Sequence, residues 1–99
     1  ETPEAAAVRE CLEETGIRCF NTQQLMFYHP GLDTRPNPPH LFYSENTSEE
    51  PEDLEIHPDE VTASEWVPLD RCLEMIFNGQ IVDSFTIIGL LAYQRLAAK

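Results

Sequence analysis

Positive charge is what this sequence has least of: six Lys and Arg stand against 18 Asp and Glu, a formal net charge of −12. That balance argues against nucleic acid and anionic membrane as partners, because both are held through cationic surface. A polyanionic substrate is repelled as well, so metal cations would have to bridge it to the acids. Cysteine is scarce too. Cys11, Cys19 and Cys72 are an odd number with no C-x-x-C pair, which leaves no complete disulfide framework and points to a reducing cytosol. None has a neighbouring His or helix N-terminus in sequence to activate it, so no nucleophile is assigned. Signal-peptide pattern, membrane-length apolar run, internal repeat and second domain are all lacking. With 99 residues and 41% hydrophobic composition, one small folded domain is the reading.

What is present is concentrated at the start. Thr2 followed by Pro3 opens a helix with a hydroxyl N-cap and a proline at the first helical position, and Gly16 supplies a left-handed stop, giving a helix of about fourteen residues. Glu10, Glu13 and Glu14 fall at i, i+3 and i+4, so three carboxylates share one face at ~5–6 Å. They repel one another, and the negative end of the helix dipole adds to the cost. A charge run of this kind is most often a solvated face. Arg9 alone cannot neutralise three carboxylates, whereas hard divalent cations take oxygen ligands, so the cluster reads as a metal site.

The spacing supports that reading. Glu1, seven residues, Arg9-Glu10, Cys11, one residue, Glu13-Glu14, one residue, then Gly16-Ile17 resembles the signature of the Nudix hydrolases, whose full motif begins with a Gly six positions before that first Glu. Cys11 stands where the family usually has an aliphatic residue, a departure that a small thiol tolerates. The resemblance implies an α/β class with an α/β/α sandwich around a mixed sheet. It also implies that residues 1–99 are the C-terminal part of a single domain whose N-terminal strands are missing from the chain, so the expected stability of this stretch alone is poor.

Further along, 17–20 and 24–28 read as strand. The sequence His29-Pro30-Gly31 reads as a turn, 32–40 as a proline-rich loop, and 41–44 as strand. Residues 45–60 carry eight acids and no Lys or Arg, a loop by composition. Residues 62–67 alternate as a strand with Trp66 buried. A short helix then runs to Phe77 and stops at Asn78-Gly79. Asp83 or Ser84 caps a last helix over 85–96, apolar nearly all round, which should be buried against a sheet or a partner subunit.

The tail, from Glu65-Trp66-Val67-Pro68-Leu69-Asp70 to Asp83-Ser84-Phe85-Thr86-Ile87-Ile88-Gly89, resembles the ADP-ribose pyrophosphatases within that family, and the turn at 29–31 is similar to their Ser-Pro-Gly turn. That resemblance implies hydrolysis of a nucleoside diphosphate joined to another group, with ADP-ribose yielding AMP and ribose 5-phosphate. It implies Glu10 and Glu14 as principal Mg²⁺ ligands, with Mn²⁺ the alternative, and Glu13 as a further ligand directly or through water. Arg9 would orient a glutamate by a bidentate bond, Glu1 would act similarly, and Glu60 would be the general base, with Asp59 and Glu55 its rivals. The catalytic set is then Arg9, Glu13 and Glu60. Its partners would be a small-molecule nucleotide and a second copy in a homodimer. Other nucleotide substrates, and a non-cleaving nucleotide sensor, are the alternatives. His29, His40 and His57 read as surface, Phe27, Tyr28, Phe42 and Tyr43 as core more than as a base-stacking set, and Arg35 equally as phosphate contact or solvated side chain.

Overall fold

The computed structural model describes residues 1–31, 38–49 and 64–98. Their order is α1 (Pro3–Thr15), β1 (Ile17–Phe20), β2 (Gln23–Phe27), β3 (His40–Tyr43), β4 (Asn46–Glu49), α2 (Leu69–Phe77) and α3 (Ser84–Ala97). The class is α/β, as expected. The chain divides into two compact units, Glu1–Gln24 with Phe42–Glu65 and Leu25–Leu41 with Trp66–Lys99.

In the first unit α1 begins and ends on the residues that the sequence singles out. The Thr2 hydroxyl accepts the Ala5 N–H at 3.1 Å, Pro3 occupies the first turn, and three alanines follow. Gly16, at φ 76°, closes the helix by donating its N–H to the Leu12 carbonyl at 2.9 Å. A side chain here would crowd the next carbonyl, which is why glycine is used. Thr15 then fixes the exit: its hydroxyl donates to the Cys11 carbonyl at 2.6 Å and accepts the Ile17 N–H at 3.1 Å. α1 therefore turns directly into β1 and packs against it.

β1 pairs antiparallel with β4, Ile17 opposite Glu49 and Phe20 opposite Asn46. The Ser44 hydroxyl donates to the Phe20 carbonyl at 2.5 Å and accepts the Asn46 N–H at 3.1 Å, holding the start of β4 to the end of β1. β4 corrects the expectation of a loop from 45 onward. Its side chains are polar and exposed, so composition hides it, but β1 supplies backbone partners that composition does not record. β2 lies beside β3 in a second two-stranded sheet.

In the second unit α2 ends at Asn78, with Gly79 at φ 86° and the Gln80 N–H on the Met75 carbonyl at 3.0 Å. α3 is capped by Asp83, whose carboxylate accepts the Thr86 N–H at 3.0 Å and the Thr86 hydroxyl at 2.6 Å. Those bonds, the hydroxyl first, hold the Asp83 carboxyl below the usual carboxylate range. α2 packs on α3, the Phe85 ring stands 6.2 Å from Tyr28, and Leu41 comes within 3.8 Å of a β-carbon built at Gly89.

Two expectations fail here. Trp66, read as buried, is 67% exposed, and within this chain no described residue is fully buried. The cover on α3 is one-sided: Ile87, Ile88, Leu90 and Tyr93 are half-buried, while Phe85, Leu91 and Leu96 face outward. The expected strand at 62–67 is described only over 64–67, and that part is not strand.

Candidate active site

Arg9 organises the site from the second turn of α1. Its Nε and Nη2 donate to the two carboxylate oxygens of Glu1 at 2.8 and 2.9 Å. Its Nη1 donates to both oxygens of Glu13, one turn on, at 3.2 and 3.1 Å. Glu10 lies at the edge of this arrangement, with one oxygen 3.6 Å from Nη2. Planar donors in a fixed fork match carboxylate geometry, so one guanidinium engages two carboxylates while holding the charge of each. The Glu1 carboxyl is accordingly held below the usual range, by its hydrogen bond from Arg9 above all. The same bond, followed by that to Glu13, raises Arg9 still further above neutrality.

Three carboxylates share this one guanidinium, and the two that it engages fully are Glu1 and Glu13. Glu10 and Glu14, at i and i+4, stay exposed on α1, and Glu14 enters no ion pair among the described residues. No group of three or more His, Cys, Asp or Glu side chains among the described residues is gathered closely enough to hold a metal ion. The sequence-predicted triad is therefore not assembled as three. Glu13 is turned to Arg9, while Glu10 and Glu14 remain as hard oxygen donors on consecutive turns, a donor chemistry that suits Mg²⁺ or Mn²⁺.

Beside the start of α1 lies a cleft of about 670 Å³, whose lining includes Thr2, Glu4, Ala5, Arg9, Arg18 and Thr22. Arg9, already engaged by Glu1 and Glu13, and Arg18 stand in this lining together with the Glu4 carboxylate, which accepts the Thr22 hydroxyl at 2.5 Å. The sequence gives no cue to Arg18, because its place beside α1 depends on the turn at Gly16 and on Asn21, which adopts φ 51° after β1.

Glu60, its rivals Asp59 and Glu55, His57 and Arg35 lie outside the described residues. His29 is exposed, as read, but His40 is half-buried, its ring 5.6 Å from Phe27. Phe27 is 53% exposed and is not a core residue, whereas Tyr28, Phe42 and Tyr43 are half-buried. The Tyr28 hydroxyl has no hydrogen-bond partner among the described residues. No described helix is long and apolar enough to cross a membrane.

A family model described as the NUDIX domain matches residues 1–84. The chain is also 37% identical over 95 residues to the CMP-5'-(N-acetyl-N-hydroxy-3-aminopropyl)phosphonate hydrolase of Streptomyces rubellomurinus. The matched stretch is 93% of this chain and 44% of that protein, so the chain spans under half the length of the curated relative.

Proposed function

This chain belongs to the Nudix family, and from that premise we propose that the protein is a metal-dependent hydrolase that splits a nucleoside monophosphate from a second phosphorus acid group. The observation that carries the proposal is the double fork of Arg9 on Glu1 and Glu13, with Glu10 and Glu14 left exposed inside the signature spacing. A fully charged diphosphate resists water because its oxygens shield phosphorus, so hydrolysis needs cationic charge at those oxygens and a base on the water. Glu10 and Glu14 would hold Mg²⁺, which supplies the charge neutralisation and a more acidic bound water. Arg9 fixes the position of Glu13 and anchors the first turn of α1 through Glu1, so the carboxylate face keeps its shape with Glu10 only at the edge of the guanidinium, 3.6 Å from Nη2, and Glu14 outside its ion pairs. Glu60 is our choice for the base that takes a proton from the attacking water, on its place before the 64–68 segment in the resembled subgroup.

Two substrates are favoured by different observations. The likeness of the tail to ADP-ribose pyrophosphatases favours ADP-ribose or a related nucleoside diphosphate sugar. The activity for which the relative is named favours a cytidine nucleotide joined to a phosphonate. Both present a nucleoside monophosphate bonded to another phosphorus acid, and that shared group is what the carboxylate face would act on. The test is a panel of ADP-ribose, other nucleotide sugars, a CMP–phosphonate conjugate and nucleoside triphosphates, incubated with the intact protein and Mg²⁺. Release of nucleoside monophosphate from a two-phosphorus conjugate supports the proposal. Binding without cleavage across the whole panel would favour the sensing module instead.

A further inference from the structure

Cys11 on α1 and Cys19 on β1 are eight residues apart in sequence, yet their sulfurs lie 3.8 Å from each other, and both are free. The Cys19 thiol donates to Cys11 Sγ, and Cys11 Sγ lies 3.6 Å from the Thr15 hydroxyl. The approach is built into the backbone: the Thr15 clamp fixes the α1 exit, and β1 is held in register by β4. Both residues are half-buried, so a small reagent reaches them while a second protein molecule is hindered.

We propose that Cys11 and Cys19 form a dithiol modification site that low-molecular-weight disulfides of the glutathione type oxidise to an intramolecular disulfide. Disulfide sulfurs stand about 2.05 Å apart, so the pair has to close by roughly 1.8 Å, within reach of side-chain rotation about staggered torsions. The exchange begins at one sulfur of the pair and ends at the other, and from Cys11 it runs in two steps. The Cys11 thiolate breaks the S–S bond of the oxidant, forms a mixed disulfide and releases one glutathione thiolate. Cys19 then loses its proton to solvent and attacks the Cys11 sulfur, forming the Cys11–Cys19 bond and releasing the second glutathione thiolate. Two protein thiols are oxidised, one glutathione disulfide is reduced to two thiols, and the two protons lost are taken up by the leaving thiolates. The bond ties α1 to β1 at the residue beside Glu10, on the helix that carries the carboxylate face.

The test uses the intact protein with Cys72→Ser, which removes the third cysteine of residues 1–99, and in parallel the unsubstituted protein. Each is treated with oxidised glutathione, alkylated and mapped by mass spectrometry without reduction. The site predicts loss of both thiols together, a linked Cys11–Cys19 peptide with no attached glutathione, and full reversal by dithiothreitol. Cys11→Ser and Cys19→Ser, each added to that background, should stop at a mixed disulfide on the remaining cysteine of the pair. Separate glutathiones on Cys11 and Cys19, an intermolecular link, or two thiols unreacted in folded protein would each overturn the proposal. Mapping the unsubstituted protein decides the matter even where a serine variant fails to fold.

Discussion

A guanidinium presents five N–H donors in a rigid plane, and in this protein four of its donor contacts go to two carboxylates at 2.8 to 3.2 Å. An ammonium cannot reproduce that geometry, so Arg9→Lys should leave the fold intact and lower metal affinity and turnover by about 10–100-fold, the usual cost of losing a group that orients a ligand. Titration calorimetry with Mn²⁺ and steady-state kinetics would measure both. A second outcome concerns Glu1, whose carboxyl titrates below the ordinary carboxylate value because of Arg9. A depressed carboxyl contributes its link above the unfolded pKa and loses it as pH falls through the folded pKa. The Glu1–Arg9 contact should therefore persist at pH 5 and break only in stronger acid. An NMR pH titration of the Glu1 carboxyl should show this, and Arg9→Gln should return that titration to the ordinary range. Helix spacing makes the shared face of Glu10, Glu13 and Glu14 legible in the sequence, whereas the roles of Arg9 and Glu1 come from the resemblance to the family signature. The Cys11–Cys19 approach is not legible, because it joins a helix to a strand through a turn that spacing does not encode.

At the scale of elements, the ends of α1 rest on single residues that make separable demands. Thr2→Ala removes the hydroxyl that accepts the Ala5 N–H and should lower stability by about 1 kcal/mol. Gly16→Ala forces a β-carbon into the left-handed region and should cost about 1–2 kcal/mol. Urea melts followed by circular dichroism would read both, and a neutral Gly16→Ala would show that α1 does not end in the conformation described. The caps and breakers of α1, α2 and α3 are readable because they act locally, within four residues. β4 is unreadable because its stability comes from β1 across the sheet, with no apolar alternation of its own. The apolar circumference of α3 records what the helix can bury, and within this chain α2 covers only part of it.

At the scale of the whole molecule, large apolar side chains such as Phe77, 80% exposed, and Val82, 78% exposed, stand in water on a chain of net charge −12. Charge keeps such a chain soluble while the exposed apolar surface seeks cover. We propose that the intact protein is a two-fold dimer and that residues 1–99 alone melt without cooperativity. Light scattering and thermal melts on both would decide, and a monodisperse, cooperatively melting 99-residue monomer would contradict it. The central claim, however, is chemical: the exposed carboxylates of α1 serve a divalent cation in hydrolysis. It is tested most directly by the turnover of Glu14→Gln in the intact protein with Mg²⁺, on the best substrate of the nucleotide panel. The substitution keeps shape and removes one charge, so turnover should fall by a factor on the order of 10² or more with the melting curve unchanged. Wild-type turnover, still dependent on Mg²⁺, would contradict the account.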